Sequence, residues 1–465
     1  MVPLPVGLFD DPSGHAVCLG LSALAAVAAW RARRPQARAC LAICAVVVGF
    51  TSPWLARLNQ AWFGAFPTID KEGSLLFFLD GVHRRLYLNP LQAPMDDAIR
   101  LIGVHAGHLW VTELFATVLT PMGAFNLQWL ASAALAWWAA SWAIATILDE
   151  RPQLAEARMD LATFAAAFPF AMGLHFFRDL DVTTVEKGGV AFVALFVGCW
   201  FRATREGGRW HLVLAFCYCL MALYNLYFAM ACAAFGALHG CTRLLGHSRP
   251  ALRHLGFAVL ACALPGVLIA GAQLFIQAGG PAVASPERFL WERAALDGVT
   301  LWPPEWNRLE AWRACNPVAV LVAAWGGCTL RGTRRLRAGL FIGAMLLFVS
   351  IGPVLLPSPA LDAPRLTNPV YMALHHVVPG FWRVAKPEVF FQPVWLLVLA
   401  ASAAGLRSLL HRNRTLGWFM VTLIFAAWWP LVRSHRDFPG LSAPIESQLN
   451  PAWRDGVFAP GDTKP

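Results

Sequence analysis

Long apolar runs, separated by short connections rich in arginine, pattern this chain from end to end. A hydrocarbon core about 30 Å thick is crossed by about 20 helical residues, whose backbone polar groups must be bonded within the segment. The runs near 16–30, 39–55, 126–148, 160–176, 188–202, 211–223, 226–240, 255–277, 316–330, 337–356, 390–406 and 415–431 therefore predict membrane helices. The expected fold is all-α, a polytopic transmembrane helical bundle of about 12 spans. The apolar stretch 210–240 exceeds one span, and Tyr224-Asn225-Leu226-Tyr227 interrupts it with groups that favour an interface. Two helices with the tyrosines at an outer turn are expected there.

Composition supports the membrane class: 58% of the 465 residues are hydrophobic, 14% are charged, and the mean hydropathy is +0.54. Such a balance excludes an ordinary soluble surface. A net charge of +10 raises nucleic acid as a partner, but the arginines sit in short connections between spans. Arg31, Arg33, Arg34 and Arg38 form one cluster, and Arg202, Arg205 and Arg209 another. Arg243, Arg249 and Arg253 follow, then Arg331, Arg334, Arg335 and Arg337, then Arg407, Arg412 and Arg414. That distribution is a topology signal that places these connections in the cytoplasm, and no nucleic-acid partner is expected.

Residues 1–15 carry Asp10 and Asp11 and no basic residue, so the N-terminus is expected outside. The loops 56–108, 177–187, 278–315 and 357–389 then face outward. A further apolar helix near 101–121 starts and ends on that side, so it is expected to be re-entrant or interfacial. Residues 1–432 are expected to form a single polytopic membrane domain, with 433–465 a loosely ordered outward tail. The 11 cysteines lie mostly in apolar segments, with Cys315 near an outward loop, and are expected to be buried and unreactive. No CxxC, Walker loop, GxGxxG after a strand or HExxH is present.

The outward polar residues carry the candidate chemistry. Asp70 and Glu72 follow Phe66-Pro67, where a helix ends. They are either solvated carboxylates beside Lys71 or, for Asp70, a general base whose pKa is raised at a membrane mouth. Arg84 and Arg85 lie outside against the charge trend, and either neutralise Asp80 or grip phosphate. Asp96 and Asp97 either cap a helix N-terminus, where negative charge suits the dipole, or take part in catalysis. His105 and His108 share one helix face near Glu113. They are open to interfacial packing, to substrate contact or to a divalent cation such as Mg or Mn. Asp179 and Asp181 sit with Arg178 in a short loop, either paired there or meeting the first-loop carboxylates. Arg383 and Lys386, beside Phe381 and Trp382, are either interfacial anchors or a grip for a lipid-linked phosphate. The tryptophan-rich loop 281–315 suits an interface or an acceptor groove.

Several of these pieces occur in an order that resembles a known family. An acid-bearing loop (Asp70) precedes a histidine-containing helix that leads through Thr120-Pro121-Met122-Gly123 to Ala124-Phe125-Asn126-Leu127. Ala167-Phe168-Pro169-Phe170, the turn at Tyr227 and Pro379-Gly380-Phe381-Trp382-Arg383-Val384-Ala385-Lys386-Pro387 follow. From about residue 39 to 406 the chain resembles the GT-C superfamily of membrane glycosyltransferases, especially its uncharacterised bacterial YfhO-like branch. Lys386 stands where the family pattern has a second arginine, and an extra span precedes the family's usual first one.

The resemblance implies a multi-pass protein of the bacterial inner membrane with a periplasmic active site. It implies a polyprenyl-phosphate-linked sugar donor, a lipid, glycan or protein acceptor, and Asp70 as base or metal ligand. Arg383 and Lys386 would then face the phosphate, and Tyr227 and Trp382 would wall the donor. A transporter or flippase of a lipid-linked or amphipathic solute, and a non-catalytic assembly protein, are the competing expectations.

Overall fold

The computed structural model describes residues 12–32, 35–55, 111–112, 114–115, 117–119, 121–148, 160–172, 189–244, 249–278, 316–330, 334–350, 352, 368–378, 381 and 387–427. Among them there are thirteen α-helices, a short 3-10 helix and no strand. The helices are α1 (Pro12–Arg31), α2 (Pro35–Leu55), α3 (Pro121–Leu148), α4 (Leu161–Ala171), α5 (Val190–Glu206), α6 (Arg209–Tyr224) and α7 (Leu226–Leu244). They continue with α8 (Arg249–Ala278), α9 (Pro317–Thr329), α10 (Arg334–Ser350), α11 (Pro369–Val377), α12 (Phe391–Arg412) and α13 (Arg414–Ala426). Each of the twelve apolar runs falls on one of these helices, and α11 is additional. Among the described residues three segments, Asn126–Leu148, Leu252–Ile269 and Phe391–Arg412, are long and apolar enough to cross a membrane. The stretch near 101–121 lies mainly outside the described residues, and residues 111, 112, 114 and 115 are helical.

The chain divides into two compact units. One comprises Met1–Leu135, His175–Gly188 and Pro430–Pro465. In it α1 packs along α2, and the Ser22 hydroxyl donates to the Ala45 carbonyl at 2.6 Å, next to Gly49. The expected tail, 433–465, lies outside the described residues.

The other unit, Ala136–Leu174 and Gly189–Trp429, holds most of the described helices. Its aromatic centre is Trp137, fully buried, against Phe164, Phe168 and Phe425. The Trp137 indole donates to the Phe164 carbonyl at 2.9 Å, so the ring is buried without a stranded N–H. Helices α9 and α12 pack through bare backbone. A Cβ on Gly326 would collide with the Ala401 carbonyl, and one on Gly405 with the Val322 carbonyl. Small residues bring helices this close where apolar surroundings supply no hydrophobic drive. Gly207 and Gly208, with φ of 69° and 57°, make the tight α5–α6 turn that residues with a Cβ rarely adopt.

Helix α7 packs against α5, α6, α8, α10 and α12. The apolar run 210–240 breaks at Asn225, as its interfacial residues predict. Asn225 is extended (φ −161°, ψ 112°) and its side chain accepts from the Tyr227 N–H at 2.8 Å, which caps α7. On α8, Leu260, Leu264, Val267 and Leu268 stay exposed, an apolar face suited to apolar surroundings. The uniform burial expected of the cysteines does not hold. Cys199, Cys217, Cys232 and Cys262 are buried, whereas Cys40, Cys44, Cys241 and Cys328 are exposed on their helices. A thiol is apolar enough to sit on a helix face that no other helix covers.

Candidate functional site

Of the residues singled out from sequence, Tyr227 lies within the described structure. Asp70, Glu72, Arg84, Arg85, His105, His108, Asp179, Asp181, Trp382, Arg383 and Lys386 lie outside the described residues. Tyr227 is half-buried in the first turn of α7, beside buried Asn225 and Tyr224. Tyr224 in turn packs on Phe192 with ring centroids 4.7 Å apart.

The structure does describe what borders the 382–386 segment. Asn368, fully buried, donates from Nδ2 to the carbonyls of Phe348 (2.7 Å) and Gly352 (2.9 Å) at the end of α10. Its Oδ1 accepts from the N–H groups of Val370 and Tyr371, capping α11. One amide thus satisfies orphan carbonyls at one helix end and orphan N–H groups at the next. Tyr371 on α11 meets Phe381 at 5.1 Å, and Phe381 meets Phe390 at 5.7 Å, all three rings being buried. Residues 381 and 390 are therefore clasped together at the start of α12. Gln392, in the first turn of α12, is 1% exposed, and neither end of its amide has a hydrogen-bond partner among the described residues. A buried amide without partners is costly, which marks this position as one where a polar group of a ligand or water belongs.

At the other end of α7 the chemistry changes. A cavity of about 310 Å³ opens among α3, α5, α7, α10 and α12, lined by Ile147, Phe201, Arg205, His239, Arg243 and Ile342, with Thr242 beside them. Arg205 donates to the Thr146 carbonyl at 2.7 Å, closing the last turn of α3, and its guanidinium lies 5.0 Å over the Phe201 ring. The Trp200 indole donates to His239 Nδ1 at 3.0 Å. Since indole N–H is a donor alone, Nδ1 is the bare nitrogen and Nε2 carries the proton. Close by, buried Arg202 pairs with Glu206, whose second oxygen accepts from the Trp210 indole at 2.9 Å. Arg407 pairs with Asp160 at 2.7 Å, and Asp160 also caps α4 through the Thr163 N–H. Among the described residues no group of three or more His, Cys, Asp or Glu is arranged to hold a metal ion.

Sequence reading took Arg205 and Arg243 as topology markers and passed over His239. The available signal was the i, i+4 spacing of His239 and Arg243, which puts both on one face of α7. No protein-family model matches the chain, and no curated protein matches it either.

Proposed function

We propose that the chain is an inner-membrane glycosyltransferase of about twelve spans. It moves a sugar from a polyprenyl-phosphate-linked donor to a lipid, glycan or protein acceptor at the periplasmic face. The observation that supports the reading is the Phe381–Phe390 contact at the start of an apolar helix, with Arg383 and Lys386 lying between these two residues in sequence. Cations next to an apolar helix in sequence suit a phosphate whose lipid tail stays in the bilayer.

In this reading the acceptor hydroxyl attacks the anomeric carbon, and Asp70 takes its proton as the new C–O bond forms. The bond from that carbon to the phosphate oxygen breaks. Arg383 and Lys386, with Arg84 and Arg85, stabilise the departing phosphate. Tyr227 and Trp382 wall the donor. Glu72, Asp179, Asp181, His105 and His108 contact the acceptor or a divalent cation. In proteoliposomes supplied with a polyprenyl-phosphate sugar and a membrane-glycan acceptor, Asp70→Asn should lower product formation by about 100-fold or more. Activity at the wild-type level removes Asp70 as the base.

The transporter reading draws on a different observation. Gln392 and Ser402 are buried polar side chains on α12 without hydrogen-bond partners among the described residues, and polar groups inside spans often line solute paths. Movement of lipid-linked sugar across the bilayer with no acceptor present would favour it over the transferase.

A further inference from the structure

We propose that Cys40 and Cys44 on α2 form a binding site for one soft monovalent cation, Cu(I) or Ag(I), held between two thiolates. Positions i and i+4 of a helix lie on one face with Cβ atoms about 5–6 Å apart, near enough for both sulfurs to reach a single ion from opposite sides. The two thiols are close enough to feel each other's charge. Both are free and exposed, while Ile43, Ala45 and Val47 of the same helix are buried. The packed α1–α2 pair therefore need not open for these sulfurs to take a ligand.

Packing alone accounts for a single thiol on an uncovered helix face, as at Cys241 and Cys328, the exposed thiols of α7 and α9. It does not call for two at chelating distance. The number of ligands then selects the ion. Structural zinc takes four, and among the described residues no group of three or more His, Cys, Asp or Glu is arranged to hold a metal. A soft monovalent ion favours sulfur and is satisfied by two thiolates in line. Binding moves no electrons: two S–H groups release their protons to solvent, two sulfur–metal bonds form, and the ion keeps its single charge. The complex carries one net negative charge, and Arg38, exposed two residues before Cys40, supplies a cation at the same end of α2. That end adjoins the arginine-rich connection that the positive-inside rule assigns to the cytoplasm, where thiols stay reduced.

The test titrates the full-length, reduced protein in neutral detergent, without oxygen, against the coloured Cu(I) complex of bicinchoninate. Loss of colour reports copper transfer, and native mass spectrometry counts the bound ions. One Cu(I) per chain should leave the chelator. Cys40→Ser and Cys44→Ser should each weaken that binding by about 100-fold or more. Cys241→Ser, and Cys199→Ser in the buried Cys199–Cys217 pair, should leave it unchanged. Ag(I) should displace the copper, and equimolar Zn(II) should not. If one of the two α2 variants fails to fold, the other carries the test. No copper taken from the chelator, wild-type affinity in Cys40→Ser or Cys44→Ser, displacement by Zn(II), or an equal loss in Cys199→Ser or Cys241→Ser overturns the proposal.

Discussion

The two ends of α7 solve the same problem with different chemistry. At its start, Asn225 ends one helix and begins the next through amide hydrogen bonds, and Tyr224 packs on the Phe192 ring. At its finish, guanidiniums close helix ends, stack on aromatic faces and line a cavity. Both ends satisfy buried backbone and polar groups, but the first does so with neutral partners and the second with fixed charge. Charge at one end of a helix and neutrality at the other is the asymmetry that the positive-inside rule reads. The same contrast separates the Asn368 junction from the Arg202–Glu206 pair.

The largest expected effect tests the charged end. Glu206→Gln leaves the buried Arg202 guanidinium without its counter-charge and should cost about 3 kcal/mol of unfolding stability. A loss below about 1 kcal/mol, measured by denaturant titration of the full chain in detergent, would remove the pair as an organising feature. Next comes the neutral junction. Asn368→Ala strands two carbonyls and two N–H groups, with an expected loss of about 2 kcal/mol that does not change with added salt. Salt dependence there would erase the contrast. Trp200→Phe keeps an aromatic ring but deletes the N–H that fixes the His239 tautomer together with part of a buried indole, for about 1 kcal/mol or somewhat more. An unchanged unfolding midpoint would show that this bond contributes nothing.

The smallest effect brings pH into the neutral end. Burial, and after it the neighbouring His376, holds the His375 imidazole below its ordinary value. The unfolded chain then takes up that proton first. Stability from this group is full above about pH 6.5 and declines as pH falls through the interval toward the folded value. His375→Asn should flatten that part of the midpoint-against-pH curve. An identical slope in the variant would rule out His375 as its source.

Much of the helical framework was legible because a spanning helix announces itself in length and hydropathy. Every one of the twelve apolar runs became a helix, and Asn225 broke the overlong one where its flanking tyrosines indicated. Helix α11 was missed because nine residues between polar loops carry no spanning signal, although Asn368-Pro369 is an N-cap followed by a first-turn proline. Asn316-Pro317 starts α9 in the same way. The cavity was illegible for a different reason. His239 acquires its tautomer from Trp200, 39 residues away, and Arg205 acquires its role from carbonyls 58 and 59 residues earlier. No local spacing encodes such partners. Cysteine burial failed as an inference from residue type, because an apolar helix face can present thiols to whatever surrounds the protein.

The glycine contact between α9 and α12 has a mechanical consequence. With backbone resting on backbone at Gly326 and Gly405, the two helices have no side-chain cushion through which to slide. They act as one plank, and Phe390 with its clasp on Phe381 is mounted on the end of it. Rearrangements of the neighbouring helices must hinge around this plank, so the Phe381–Phe390 contact keeps its footing while they move.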